Sequence, residues 1–160
     1  MPHEARPEMA RLFEESVRFY LCLNHIASLM HRHGEQSGAR RTVLVTLART
    51  GPATVAQIAR ARHEARQRIQ PLVNALVKDG ILEYATNPAH KRSPLVRLTS
   101  KGNAAVRRIV EIESAARAQL DLDASPRALT AATNVLRRVR TALERDETSR
   151  MIARVTRPKR

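Results

Sequence analysis

Between Gly51 and Gly102 the chain is punctuated so densely that few folds can accommodate it. Gly51-Pro52 ends the helical pattern before it, because proline brings no amide donor to continue a helix. Thr54 then offers a capping oxygen to a short helix over 55–61 that carries Val55, Ile58 and Ala59. A second helix is expected over 65–78, where Ile69, Leu72, Val73, Leu76 and Val77 share one face and Gly80 follows as the stop. Two short strands come next, 81–85 and 95–98. They are joined by TNPAHKRSP, a loop with Asn87-Pro88 as a turn and two adjacent cations at its tip. Helix, turn, helix and a basic-tipped hairpin is the layout of a winged helix-turn-helix.

Longer helices flank this block. Residues 8–33 read as one helix, with Leu12, Phe13, Val17, Tyr20, Leu21, Asn24, Ala27 and Met30 at three- and four-residue steps. Phe19, Leu23 and Ile26 widen the stripe beyond a single core face, as in a helix covered from two sides, here by a second subunit. Gly34 and Gly38 bracket a turn, and 39–50 forms a short helix around Val43, Leu44, Leu47 and Ala48. Thr99 is placed to cap a helix over 100–120, and Ser125-Pro126 starts a last one that runs to about residue 145. The expected fold is mainly α. It has an N-terminal helix (1–36), a winged helix-turn-helix region (37–102), C-terminal helices (103–147) and a basic tail (148–160), whose end RVTRPKR is expected to fray.

Charge points to a partner. The formal net charge is +14, and only Lys78, Lys91, Lys101 and Lys159 among the 29 cations are not arginine. The excess concentrates in residues 54–110, with eleven cations against three anions, so the acids that normally intersperse a solvated face are nearly absent there. Guanidinium forks suit phosphate or carboxylate partners. Four Phe and Tyr with no Trp argue against a base-stacking platform for single strands. The lone Cys22 excludes an internal disulfide and a Cys-rich zinc site, and His31 and His33 diverge on a helix, so no metal site is expected. No nucleophile elbow, Gly-rich phosphate loop or HExxH occurs, so neither an enzyme nor a cofactor is implied. There is no run of 18 apolar residues and no apolar signal core in MPHEARPEMARLFEE, which leads to the expectation of a cytoplasmic protein without a membrane partner.

The stretch GPATVAQIARARHEARQRIQPLVNALVKDGILEYATNPAHKRSPLVRLTSKG resembles the MarR family of bacterial transcriptional regulators. Its most specific parts are the Leu-Val-x-x-Leu-x-x-x-Gly run, the NPxHKRS wing and the closing LTxKG. The resemblance implies a homodimer built by the first and last two helices, with one winged domain per subunit. It also implies that Arg92 reaches the minor groove from the wing tip, with Lys91 and Ser93 on phosphates. A recognition helix enters the major groove by its N-terminal end, where Arg66, Gln67, Arg68 and Gln70 are placed to contact bases. Thr54 could meet a phosphate at the start of the preceding helix. Three positions depart from the family pattern. His90 stands where many members carry an acid that braces the tip arginine, and Ala65 stands where a Ser cap is common, with Glu64 as a substitute. Pro71 lies inside the recognition helix and predicts a bend or a loosened first turn.

The family often senses small phenolic or aromatic acids, and His25, His31, Arg40 and Arg41 are candidate partners for such a carboxylate. Cys22 resembles the sensing cysteine of the organic-peroxide branch. The second helix, ARRTVLVTLAR, lacks that branch's tyrosines, so a buried, inert thiol is the expected reading. These readings converge on a dimeric regulator that binds double-stranded DNA at a pseudo-palindromic operator as a repressor, relieved by a small aromatic effector. Two alternatives stay open: a sequence-neutral basic packing protein, and a winged-helix module that binds proteins.

Overall fold

The computed structural model describes residues 7–30 and 38–156, and the chain divides after Gln119 into two units. The first unit begins with α1 (Pro7–Met30) and α2 (Gly38–Thr50), followed by α3 (Val55–Ala61) and α4 (Arg66–Lys78). A two-stranded antiparallel sheet, β1 (Leu82–Ala85) and β2 (Leu95–Leu98), leads into α5 (Ser100–Ala118). The second unit holds α6 (Pro126–Leu143) and α7 (Asp146–Val155). This is the mainly α winged helix-turn-helix that the punctuation predicts.

The core lies where α2, α3, α4 and the sheet meet. Val43, Leu44 and Leu47 of α2 pack with Ile58 of α3, Ile69, Val73 and Leu76 of α4, and Leu82 and Val96 of the strands. Ile109 of α5 joins the same cluster, and Gly102 is buried. The start of α5 therefore packs with the winged region.

Local chemistry sets the element boundaries. Thr54 and Gln57 form a reciprocal capping box at the start of α3. The α3–α4 turn closes with two bonds, Glu64 N–H to the Ala59 carbonyl and His63 N–H to the Arg60 carbonyl, with His63 in the left-handed region at φ 53°. Gly80 ends α4 by the same device, at φ 68°. The strands pair Leu82 with Leu98, Glu83 with Arg97, Tyr84 with Val96 and Ala85 with Leu95. Ala53 bonds Val96 in both directions, which ties the α2–α3 link to the middle of β2.

Three expectations are corrected. Pro71 does not interrupt α4, which runs from Arg66 to Lys78, and the first turn is tightened rather than loosened, with Arg68 N–H donating to the Ala65 carbonyl. Much of the supposed tail, 148–160, is helical, since α7 runs to Val155. Asp146 and Glu147 favour its N-terminus and Thr148 Oγ1 donates to the Ala142 carbonyl. Cys22 is exposed in the single chain rather than buried, because α1 has no fully buried residue.

Candidate nucleic-acid interface

The first turns of α4 carry Arg66, Gln67 and Arg68 into solvent, while Ile69, Val73 and Leu76 hold the opposite face in the core. An amphipathic helix anchored this way presents its polar N-terminal end without freedom to roll. Ala65 at the N-cap makes no side-chain bond, and Glu64 does not replace it; its carboxylate instead lies 3.5 Å from Arg68 Nη1. The amides of the first turn are thus left without a side-chain cap, beside two exposed arginines.

The wing is shaped by Asn87. This residue is 8% exposed; its Nδ2 donates to the Ser93 carbonyl at 2.7 Å and its Oδ1 accepts from Ala89 N–H at 3.1 Å. One buried amide therefore clips the loop at both ends. His90 N–H to the Asn87 carbonyl and Ser93 N–H to the His90 carbonyl complete the turns. Lys91 and Arg92 project from this tip, both exposed. Below the tip, Arg97 Nε donates to Glu83 Oε1 at 2.7 Å across the strand pair.

Recognition helix and wing share a cleft. Arg66 and Gln70 from α4, Thr54 and Val55 from the start of α3, Tyr84 from β1 and Ser93 from the wing line it together. Four of the expected contact residues are thereby brought side by side: Thr54, Arg66, Gln70 and Ser93. Gln67, Arg68, Lys91 and Arg92 are exposed in the same unit and do not line the cleft. Thr54 is occupied with capping, its hydroxyl donating to Gln57 Oε1 at 3.0 Å and accepting from Gln57 N–H at 3.2 Å. Gln70 is held by Asn74 and Tyr84, two residues that sequence reasoning did not single out. Asn74 was visible as the i+4 partner of Gln70, whereas Tyr84 reaches it only through the fold.

Two of the residues considered for a carboxylate ligand are engaged with carboxylates of the chain itself. Arg40 donates to Asp79, joining α2 to the end of α4, and Arg41 donates to Glu113 of α5. The hydrogen bond from Arg40 lowers the Asp79 pKa from its ordinary value, with the charges of Arg40, Lys101 and Lys78 adding to it. His25 is exposed on α1, and His31 lies outside the described residues, as does His33. Among the described residues no three His, Cys, Asp or Glu side chains group as metal ligands, and no helix is long and apolar enough to cross a membrane.

The MarR family model matches residues 37–93, which span α2 through the wing. The chain belongs to the MarR family. It is accordingly a DNA-binding transcriptional regulator, and members of this family are not enzymes. Uncharacterized protein Rv2011c of Mycobacterium tuberculosis is 33% identical over 137 residues, covering 82% of this chain and 96% of its own. The solved MarR family transcription regulator SP03579 superposes with a TM-score of 0.73 at 24% identity, covering 88% of this chain and 95% of that one. BpsR of Bordetella bronchiseptica, whose DNA binding is regulated by 6-hydroxynicotinic acid, gives 0.64 at 20% identity over 87% and 95% of the two chains. At these identities the two solved structures share the MarR fold.

Proposed function

We propose that this MarR-family chain acts as a homodimeric repressor that reads a pseudo-palindromic operator. Arg66, Gln67, Arg68 and Gln70 enter the major groove, and Arg92 enters the adjacent minor groove with Lys91 and Ser93 on phosphates. The observation that carries this reading is the shared cleft: Arg66 of the recognition helix and Ser93 of the wing line one surface, so both elements can engage one duplex together. Dimerisation is supported by apolar side chains left in solvent by the single chain. Phe19, Leu23 and Ile26 on α1 are about half exposed, and Leu129 and Leu136 on α6 are similarly open. A two-fold axis places the half-sites about one helical turn apart.

A small aromatic acid is the effector class proposed, on the strength of the regulation named for BpsR. Arg40 and Arg41 already donate to Asp79 and Glu113, so such a ligand would share those guanidinium groups with internal carboxylates. Selection of bound duplexes from a random library at near-physiological salt tests the main reading. Enrichment of an inverted repeat is expected, with Arg68→Ala and Arg92→Ala each weakening the selected site roughly 5- to 100-fold. Recovery of unenriched sequence would instead favour a charge-driven packing protein, and recovery of nothing would favour a protein-binding module.

A further inference from the structure

Gln70, Asn74 and Tyr84 close a triangle of hydrogen bonds beside the reading end of α4. Gln70 Nε2 donates to Asn74 Oδ1 at 3.0 Å and to Tyr84 Oη at 3.1 Å, and Tyr84 Oη donates to Asn74 Oδ1 at 2.9 Å. Counting hydrogens decides what is left for a ligand. A glutamine amide has two N–H donors and both are used; a phenol has one and it is used. Outside the triangle there remain Gln70 Oε1, which only accepts, and the two donors of Asn74 Nδ2.

The triangle is anchored from outside the helix. Tyr84 is paired with Val96 in the sheet, and Val96 is bonded to Ala53, so the phenol is set by the wing's own framework. Gln70 and Asn74 are four residues apart on one helix face, and Gln70 lies in the cleft beside Arg66.

We infer that Tyr84 determines the base preference of Gln70 by taking up its donors. This rests on the DNA-reading function proposed above. A free glutamine recognises adenine by donating to N7 and accepting from the N6 amine, two bonds from one amide. As held here, Gln70 can only accept, so adenine offers it one bond, and cytosine offers the same through its N4 amine. Tyr84 is a positioning residue in this scheme: it touches no base and acts through the orientation of a neighbouring amide.

The test compares the wild-type chain with Tyr84→Phe and Asn74→Ala in selection from a random duplex library. Tyr84→Phe removes one hydrogen-bond partner of the amide and Asn74→Ala removes the other, so each frees an N–H of Gln70 from its present bond. Both are expected to shift the same symmetry-related pair of operator positions toward adenine, by roughly 5- to 10-fold, and Tyr84→Phe, which removes no outward donor, leaves other positions and the salt dependence unchanged. A merely structural role would weaken all positions together. Unchanged preferences in both variants, a uniform loss, or shifts at different positions in the two variants would each overturn the inference while leaving the wild-type operator intact. A wild-type chain that enriches no sequence would overturn it together with the function on which it rests.

Discussion

His63 sits at a position that ordinarily belongs to glycine. Its φ of 53° closes the turn between α3 and α4, and an L side chain in the left-handed region costs about 1–2 kcal/mol. Replacement by glycine removes that cost but frees the unfolded chain, so His63→Gly is expected to stabilise the protein by about 0.5–1 kcal/mol. Urea denaturation measures this directly, and a lower midpoint would show that the imidazole contributes more than its backbone costs. Polar side chains elsewhere are more fully used than their positions suggest. Thr54 and Gln70 look free to meet DNA when read along the sequence, yet one is engaged in a capping box and the other in a triangle with Asn74 and Tyr84. Capping is a local event, and the pairing of Thr54 with Gln57 at three residues' distance was legible. The bond to Tyr84 spans fourteen positions and exists only because β1 packs beside α4.

At the scale of elements, the sequence is clear wherever one residue type has one job. Thr54, Gly80, Thr99 and Ser125 mark boundaries that the structure keeps within a residue or two. Gly102 belongs with them for another reason. A Cβ there would stand 2.2 Å from the Ile81 carbonyl oxygen, at the crossing of α5 over the start of the wing. Gly102→Ala is therefore expected to destabilise the fold by about 2–3 kcal/mol, the usual cost of forcing backbone apart in a packed site. An unchanged thermal midpoint would show that α5 can slide away from β1 without loss. What escaped the reading were elements fixed by distant partners. Asp146 and Glu147 look like ordinary charges past the end of the last expected helix until they are seen as the first turn of α7, and the pairing of Arg41 with Glu113 crosses 72 positions. Periodicity reports a helix's faces, but it does not name the neighbour that meets each face. Cys22 illustrates the gap: α1 carries an apolar stripe on several sides, and the single chain covers none of it completely.

For the whole molecule, charge and symmetry make a joint prediction. A dimer carries every contact twice, so a substitution that removes one phosphate contact per subunit removes two per complex. Lys91→Ala is expected to reduce the slope of log affinity against log salt by about 2, and a change of about 1 would mean that only one wing engages. The positive excess in residues 54–110 lies on the winged domain itself. On the proposed function, long-range attraction draws this region to the duplex first.

The buried amide of Asn87 separates two tasks that are usually entangled. It satisfies the loop's backbone at both ends, so Pro88 to Arg92 add nothing to the core and are all exposed. Side chains there can change at little folding cost so long as the Ala89 and His90 amides are kept. The tip is thus an independently adjustable part, and related regulators could acquire new groove preferences by drift in five residues while inheriting an unaltered scaffold.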